Sequence, residues 1–234
     1  KETIWYENPK NKSGNSGLWK AHIIFKITDG ESPALKDVTG DGRPELVVSR
    51  YDDQVNYETQ SAIFWNSADR FSQDRVSWLD TCGAMGCTAG DTDGDGRPAV
   101  IFNGTMRGPS KSWPEFPSYV YLGGEGGDYG THRRLELPTG GETYTYIMAD
   151  LNLDGYPDLV FTNEGGLRIY PGGPDGPQPN RYYDLATPAG EKHQAPIMEV
   201  YVADLNRDGY LDLLAAVQTY DDKPQTMAHS SVIF

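Results

Sequence analysis

The sequence predicts an all-β fold, a β-propeller of four-stranded antiparallel blades. Three observations predict it. An acidic motif recurs four times, its leading aspartates 54, 59 and 54 residues apart. Each copy runs into a short apolar segment rich in Val, Ile and Phe. Each interval of roughly 55 residues holds four such segments separated by Gly- and Pro-rich turns, the pattern of a propeller blade. The copies are Asp37-Val-Thr-Gly-Asp41-Gly42-Arg-Pro-Glu45, Asp91-Thr-Asp93-Gly-Asp95-Gly96-Arg-Pro-Ala99, Asp150-Leu-Asn152-Leu-Asp154-Gly155-Tyr-Pro-Asp158 and Asp204-Leu-Asn206-Arg-Asp208-Gly209-Tyr-Leu-Asp212.

The elements follow in order. Residues 3–6 and 21–25 resemble third and fourth strands, so 1–30 reads as half a blade. Blades follow at 31–84, 85–143 and 144–197, with a partial blade at 198–234. Their first strands are clearest at 144–149 and 200–203, each entering an acidic loop. Second strands leave the loops at 46–48, 100–102, 159–161 and 213–217, apolar enough to be buried on both faces. Third strands fall at 62–65, 119–121 and 167–170, and fourth strands at 75–79, 133–137 and 181–185. Residues 231–234 resemble the start of another third strand. Third-strand candidates at both ends do not close a four-bladed ring. The chain reads as one propeller domain or part of one, about four blades' worth, an arc of a larger ring. Seven blades would need roughly 385 residues.

Composition narrows the function. The 234 residues carry 34 Asp and Glu against 20 Lys and Arg, a net charge of −14. That balance opposes nucleic-acid binding, which draws on Lys and Arg. No apolar run reaches the ~18 residues of a membrane-spanning helix, so no membrane insertion is expected. The 15 Tyr, 5 Trp and 7 Phe exclude a disordered chain. No Walker loop, HExxH or GxSxG pattern occurs, and no catalytic residue is assigned. The chain starts at Lys1 without a signal-like segment and reads as a mature or excised piece.

The acidic loops carry the chemistry. In Asp-x-Asp/Asn-x-Asp-Gly, side chains at positions 1, 3 and 5 converge, Gly at position 6 permits a sharp turn, and the position-7 carbonyl can turn inward. This is how a short loop wraps calcium, which takes 6–8 oxygens at ~2.3–2.6 Å. The expected donors are Asp37, Thr39, Asp41, Arg43 and Glu45; Asp91, Asp93, Asp95 and Arg97; Asp150, Asn152, Asp154, Tyr156 and Asp158; Asp204, Asn206, Asp208, Tyr210 and Asp212. Arg43, Arg97, Tyr156 and Tyr210 enter through their carbonyls. Asp-Gly pairs also make ordinary turns, but four copies at regular spacing favour up to four structural Ca2+ ions. Magnesium fits less well because it demands strict octahedra. An EF-hand would lead into a helix, whereas these loops lead into strands. Four ions would carry the net charge from −14 to −6. Thr39 is a weak ligand and Ala99 none, so one or both of the first two loops should bind more weakly than the last two.

These repeats resemble the FG-GAP/VCBS family, the calcium-binding blades of integrin-alpha-like β-propellers. The resemblance covers nearly the whole chain and is closest at 150–158 and 204–212. Literal Phe-Gly and Gly-Ala-Pro signatures are missing, so the VCBS-like branch fits better. The resemblance implies an extracellular, cell-surface or periplasmic protein that serves in adhesion, in carbohydrate binding, or as a domain beside a secreted enzyme. The leading reading is a non-catalytic module that binds a glycan or an extracellular protein. The alternatives are a propeller domain of a polysaccharide lyase or glycoside hydrolase, and a structural segment of a large surface protein.

Other residues read as follows. Cys82 and Cys87 lack a neighbouring His for zinc, and a small-loop disulfide is slightly favoured over two buried thiols. His22, His132, His193 and His229 are scattered. Arg75, Arg133, Arg134 and Arg181 recur at one place in the repeat, which suggests pairing with a neighbouring blade. Insertions at 51–60, 103–117 and 218–230 would lie on a binding face, with Tyr57, Trp113, Phe116 and Tyr220 able to stack on sugars or pack their own loops. Asn11-Lys-Ser13 and Asn103-Gly-Thr105 are glycosylation sequons.

Overall fold

A computed structural model describes residues 2–8, 19–26, 30–52, 57–67, 71–72, 74–105, 117–163, 165–187, 197–220 and 227–233. Its strands form five separate antiparallel sheets in chain order. β1 (Glu2–Glu7) pairs with β2 (Lys20–Lys26). The next sheet holds β3 (Gly30–Lys36), β4 (Glu45–Arg50), β5 (Glu58–Phe64) and β6 (Val76–Cys82). Then come β7 (Ala84–Gly90), β8 (Ala99–Gly104), β9 (Ser118–Tyr121) and β10 (Arg134–Leu137). They are followed by β11 (Tyr146–Ala149), β12 (Asp158–Asn163), β13 (Gly166–Tyr170) and β14 (Tyr183–Ala186). The last sheet holds β15 (Ile197–Ala203), β16 (Asp212–Tyr220) and β17 (Met227–Ile233). The all-β, four-stranded architecture expected from the repeat is present, and the first and last sheets share no hydrogen-bonded edge.

The repeat extends to register. Leu35, Ala89, Met148 and Val202 face Leu46, Val100, Leu159 and Leu213 across the first two strands of successive sheets. Leu46, Val100 and Leu159 in turn face Phe64, Tyr121 and Tyr170 on the third strands.

Alternation explains why the second strands are apolar throughout. Successive strand residues point to opposite sheet faces. Leu46, Val48, Val100, Phe102, Leu159, Phe161, Leu213 and Ala215 pack toward the preceding sheet, and Val47, Ile101 and Val160 toward the following one. A strand covered on both sides needs no polar face. Burying one large apolar side chain contributes about 1.5–3 kcal/mol, so these strands anchor each blade to two neighbours.

A second inter-blade link recurs that the sequence did not announce. Tyr121 Oη donates to the Asp80 carbonyl of the preceding sheet at 2.6 Å, and Tyr170 Oη donates likewise to the Pro138 carbonyl. Each ring meets a second-strand Phe edge-on, Phe102 at 6.3 Å and Phe161 at 6.1 Å. The equivalent residue of the first full blade is Phe64, which has no hydroxyl.

Several expectations need correction. Cys82 and Cys87 are free and buried, not bridged. Cys82 ends β6, whereas Cys87 lies within β7 and directs its sulfur to the Ser32 and Val47 carbonyls at 3.2 and 3.5 Å. Burial pushes both thiols up to about 12. Asn103 is no surface acceptor: it is fully buried, and its Nδ2 donates to the Thr143 carbonyl at 2.8 Å. Strands β16 and β17 claim both ends of the expected 218–230 insertion, because their pairing runs out to Tyr220 and Met227. Arg133 serves its own blade, donating to the Leu122 and Gly123 carbonyls at 3.0 and 2.7 Å. The arginine that reaches the neighbour is Arg168, which donates to the Pro138 carbonyl at 2.9 Å. Asn11, Trp113, Phe116 and His193 lie outside the described residues.

Candidate functional site

All four acidic loops fold around their first aspartate. Asp37 accepts from the backbone N–H of Gly40 and Gly42, each at 2.7 Å. Asp91 accepts from Gly94 and Gly96 at 2.8 and 3.0 Å. Asp150 takes the N–H of Asp154 and Gly155 at 3.1 and 2.9 Å, and Asp204 those of Asp208 and Gly209, both at 3.0 Å. The position-5 carboxylates of Asp41, Asp95, Asp154 and Asp208 each accept the N–H two residues on, at 2.8–2.9 Å. A carboxylate oxygen has a second lone pair, so an acid that accepts one N–H per oxygen, as Asp150 and Asp204 do, keeps acceptor capacity.

The turn chemistry matches the sequence at position 6. Gly42, Gly96, Gly155 and Gly209 have φ between 81° and 93°, which glycine adopts without steric cost. Position 4 is left-handed as well, in Gly40, Gly94, Leu153 and Arg207. Leu153 and Arg207 are the two non-glycine residues with positive φ among the described residues.

Position 9 has a backbone role that the motif alone did not show. Glu45, Asp158 and Asp212 accept the N–H of the position-2 residues Val38, Leu151 and Leu205 at 3.1, 3.0 and 2.9 Å. Asp158 also accepts from Gly172 at 2.9 Å, which ties its loop to the turn after β13. Burial raises the carboxyls of Glu45 and Asp158 despite these bonds. The second loop has Ala99 here and no such clamp, and the hydroxyl of its buried Thr92 has no partner among the described residues.

The loops differ most in how they handle charge. In the first, Arg43 Nε and Nη2 donate to Asp41 Oδ2 at 3.1 and 2.7 Å, which holds the Asp41 carboxyl below its usual range. In the second, Arg97 makes the same contacts to Asp95 at 3.0 and 2.8 Å. Burial pushes Asp95 up, but the hydrogen bonds from Arg97 outweigh it and its carboxyl ends low. Position 7 is tyrosine in the other two loops, and no cation takes that place among the described residues. There the Asn152 and Asn206 amides bridge to Asp154 and Asp208 at 3.0 and 2.9 Å.

Asp91, Asp93 and Asp95 offer carboxylate oxygens all within 4.8 Å of one another. Burial, followed by its acidic neighbours, raises the Asp93 carboxyl. That spread is about twice a calcium–oxygen bond of ~2.3–2.6 Å, so one ion of that size could touch all three. Among the described residues, these three are the group of acidic side chains gathered closely enough to hold one metal ion.

Neighbouring loops also touch. Tyr129 Oη lies 2.7 Å from the Pro98 carbonyl and 3.3 Å from that of Val38, between the first and second loops. A Cβ added at Gly94 would stand 2.9 Å from the ring of Tyr156 in the third loop.

Comparison with protein families finds a repeat family in the chain. The model described as an FG-GAP-like repeat matches residues 37–102 and 150–215. Each match starts on the first aspartate of one loop and ends in the strand beyond the next. Comparison with curated proteins finds no match.

Proposed function

Because this chain belongs to the FG-GAP-like repeat family, we propose that it is a calcium-stabilised β-propeller module of an extracellular or surface protein, binding a glycan or protein partner. The observation that carries the calcium reading is the fourfold recurrence of one carboxylate arrangement on the same backbone donors. A stack of like charges costs free energy unless something offsets it. A bound cation would offset it and would stabilise the folded chain by mass action. The third and fourth loops take the ion most tightly, because no guanidinium competes for their position-5 carboxylates. FG-GAP repeats are typical of extracellular or surface proteins, and no helix among the described residues is long and apolar enough to cross a membrane.

The test is a thermal melt in millimolar calcium and in EGTA, with bound calcium counted by elemental analysis. Calcium should raise the melting temperature by roughly 10 °C or more, given about 2.7 kcal/mol per site at a hundredfold excess over Kd. At least two ions should remain bound. An unchanged melt with no retained metal would reduce the loops to acidic turns.

A further inference from the structure

Beside the first loop lies an open cleft of about 870 Å3, between the first and second full blades. This volume is within the ~300–1,000 Å3 of ligand pockets. One wall is the acidic loop at Asp41 and Arg43; the other is the turn of residues 124–127, with Arg97 alongside. Trp65 and Asn66 follow the third strand and also line the cleft, as does Arg75, the cross-strand neighbour of Trp65.

Trp65 and Asn66 are fixed by bonds made outside the cleft. The Trp65 indole N–H donates to Ser77 Oγ at 2.9 Å, and its backbone N–H to the Arg75 carbonyl at 2.9 Å. The Asn66 amide nitrogen donates to the Pro44 carbonyl at 3.0 Å, which leaves its Oδ1 as an acceptor. Arg43 is locked by Asp41 and keeps further N–H donors. The Arg75 guanidinium and the Glu125 carboxylate have no ion pair among the described residues. Gly127, at φ 79°, lets the turn approach the Trp65 ring, where a Cβ would stand 2.9 Å away.

We propose that this cleft is a subsite for a neutral saccharide, one or two rings long, set against Trp65 and hydrogen-bonded by Arg75, Asn66 and Glu125. This deepens the glycan arm of the proposed function and rests on it. Charge selects the ligand class. Three guanidiniums and three carboxylates line the cleft, so it presents donors and acceptors side by side, as vicinal hydroxyls require. The chain's net charge of −14 repels polyanions.

The test is calorimetric titration of the chain with cellotetraose, maltotetraose and mannotetraose, and with tetragalacturonate as the anionic arm. At least one neutral tetrasaccharide should bind and shift the tryptophan emission. Arg75→Ala and Glu125→Gln should each weaken it tenfold or more, with melting temperature and calcium count unchanged. Both residues are exposed and lie outside the acidic loops, so neither substitution threatens the fold. Loss of saccharide binding with calcium intact locates a failure in the cleft; loss of calcium with binding intact locates it in the loops. Binding of tetragalacturonate alone, of no neutral sugar, or of a neutral sugar equally by both variants would overturn the proposal.

Discussion

The first two acidic loops and the last two follow the same backbone path with different chemistry. Residues 37–45 and 91–99 place glycine at position 4 and arginine at position 7. Residues 150–158 and 204–212 place Leu153 or Arg207 at position 4 and tyrosine at position 7. In the first pair a guanidinium sits on the position-5 carboxylate; in the second pair only an asparagine amide does. One backbone thus carries its acids in two settings. The first pair has an internal cation. The second pair has no guanidinium at position 7, and its position-4 residues occupy a backbone region that side chains disfavour.

The sharpest way to break this comparison is to remove the first aspartate of each loop in turn. Asp150→Ala and Asp204→Ala should each cost about 3 kcal/mol or more in calcium, since two backbone bonds and a bound ion are lost together. In EGTA that cost should fall to about 1–3 kcal/mol. Asp37→Ala should show a much smaller difference between the two conditions. Melting curves of the variants in both buffers decide it, and equal calcium dependence in all loops would erase the distinction.

Position 4 gives the next largest effect. Gly40 has φ 76° and open space where a Cβ would sit, so Gly40→Leu should cost about 1–2 kcal/mol through backbone conformation alone. Leu153 is 55% exposed and holds φ 59°, so Leu153→Gly loses little burial. It should be neutral or stabilising by up to ~1 kcal/mol, the relief of φ being partly offset by glycine entropy. Urea unfolding of both variants measures the asymmetry. A destabilised Leu153→Gly would mean that the leucine side chain makes contacts that matter.

What the sequence disclosed and what it concealed divide along physical lines. Features set within one repeat were legible. The Asp-x-Asp/Asn-x-Asp-Gly pattern fixed the left-handed turn at Gly42, Gly96, Gly155 and Gly209, and the apolar runs after it fixed the doubly covered strands. Features set between repeats were not. Tyr121 and Tyr170 find their acceptors in the preceding blade, and Cys87 faces Ser32, 55 residues away. Asn103 reads as a sequon until Thr143 from the next blade covers it. The clamp from Glu45, Asp158 and Asp212 was half legible: the acid recurs, but its backbone donors appear only once the loop is closed. The Arg43 and Arg97 pairs had a visible signal, an arginine two residues after the aspartate in both copies.

The guanidinium pairs offer a finer test. Arg43→Gln keeps the position-7 carbonyl and removes the cation. Calcium affinity of the first loop should then rise about 2–5-fold, the modest gain expected on removing an exposed ion pair. Terbium luminescence of the chain, with Asp150 and Asp204 replaced by alanine to silence the other pair of loops, would read it. No gain would mean that the guanidinium and the ion do not compete.

The smallest effect calibrates all the others. Arg168 and Asp184 form a related pair, Nε donating to Oδ1 at 2.7 Å and Nη2 to Oδ2 at 2.8 Å, where no cation site is suspected. Arg168 is only 12% exposed and stacks 4.0 Å over the Tyr182 ring, whereas Asp184 is 48% exposed. The hydrogen bond from Arg168 holds the Asp184 carboxyl below its ordinary 3.8. An acid whose folded pKa is depressed contributes stability that is present above the unfolded value and is lost as pH falls through the folded one. Asp184→Asn should therefore cost about 0.2–1 kcal/mol at neutral pH, after allowance for solvent screening. That cost should shrink as pH falls below about 4, where the parent loses the same interaction. Addition of calcium should leave it unchanged. If the Arg43 pair behaves like this one in acid but differs from it in calcium, the contrast between the two kinds of loop belongs to the ion and not to the ion pair.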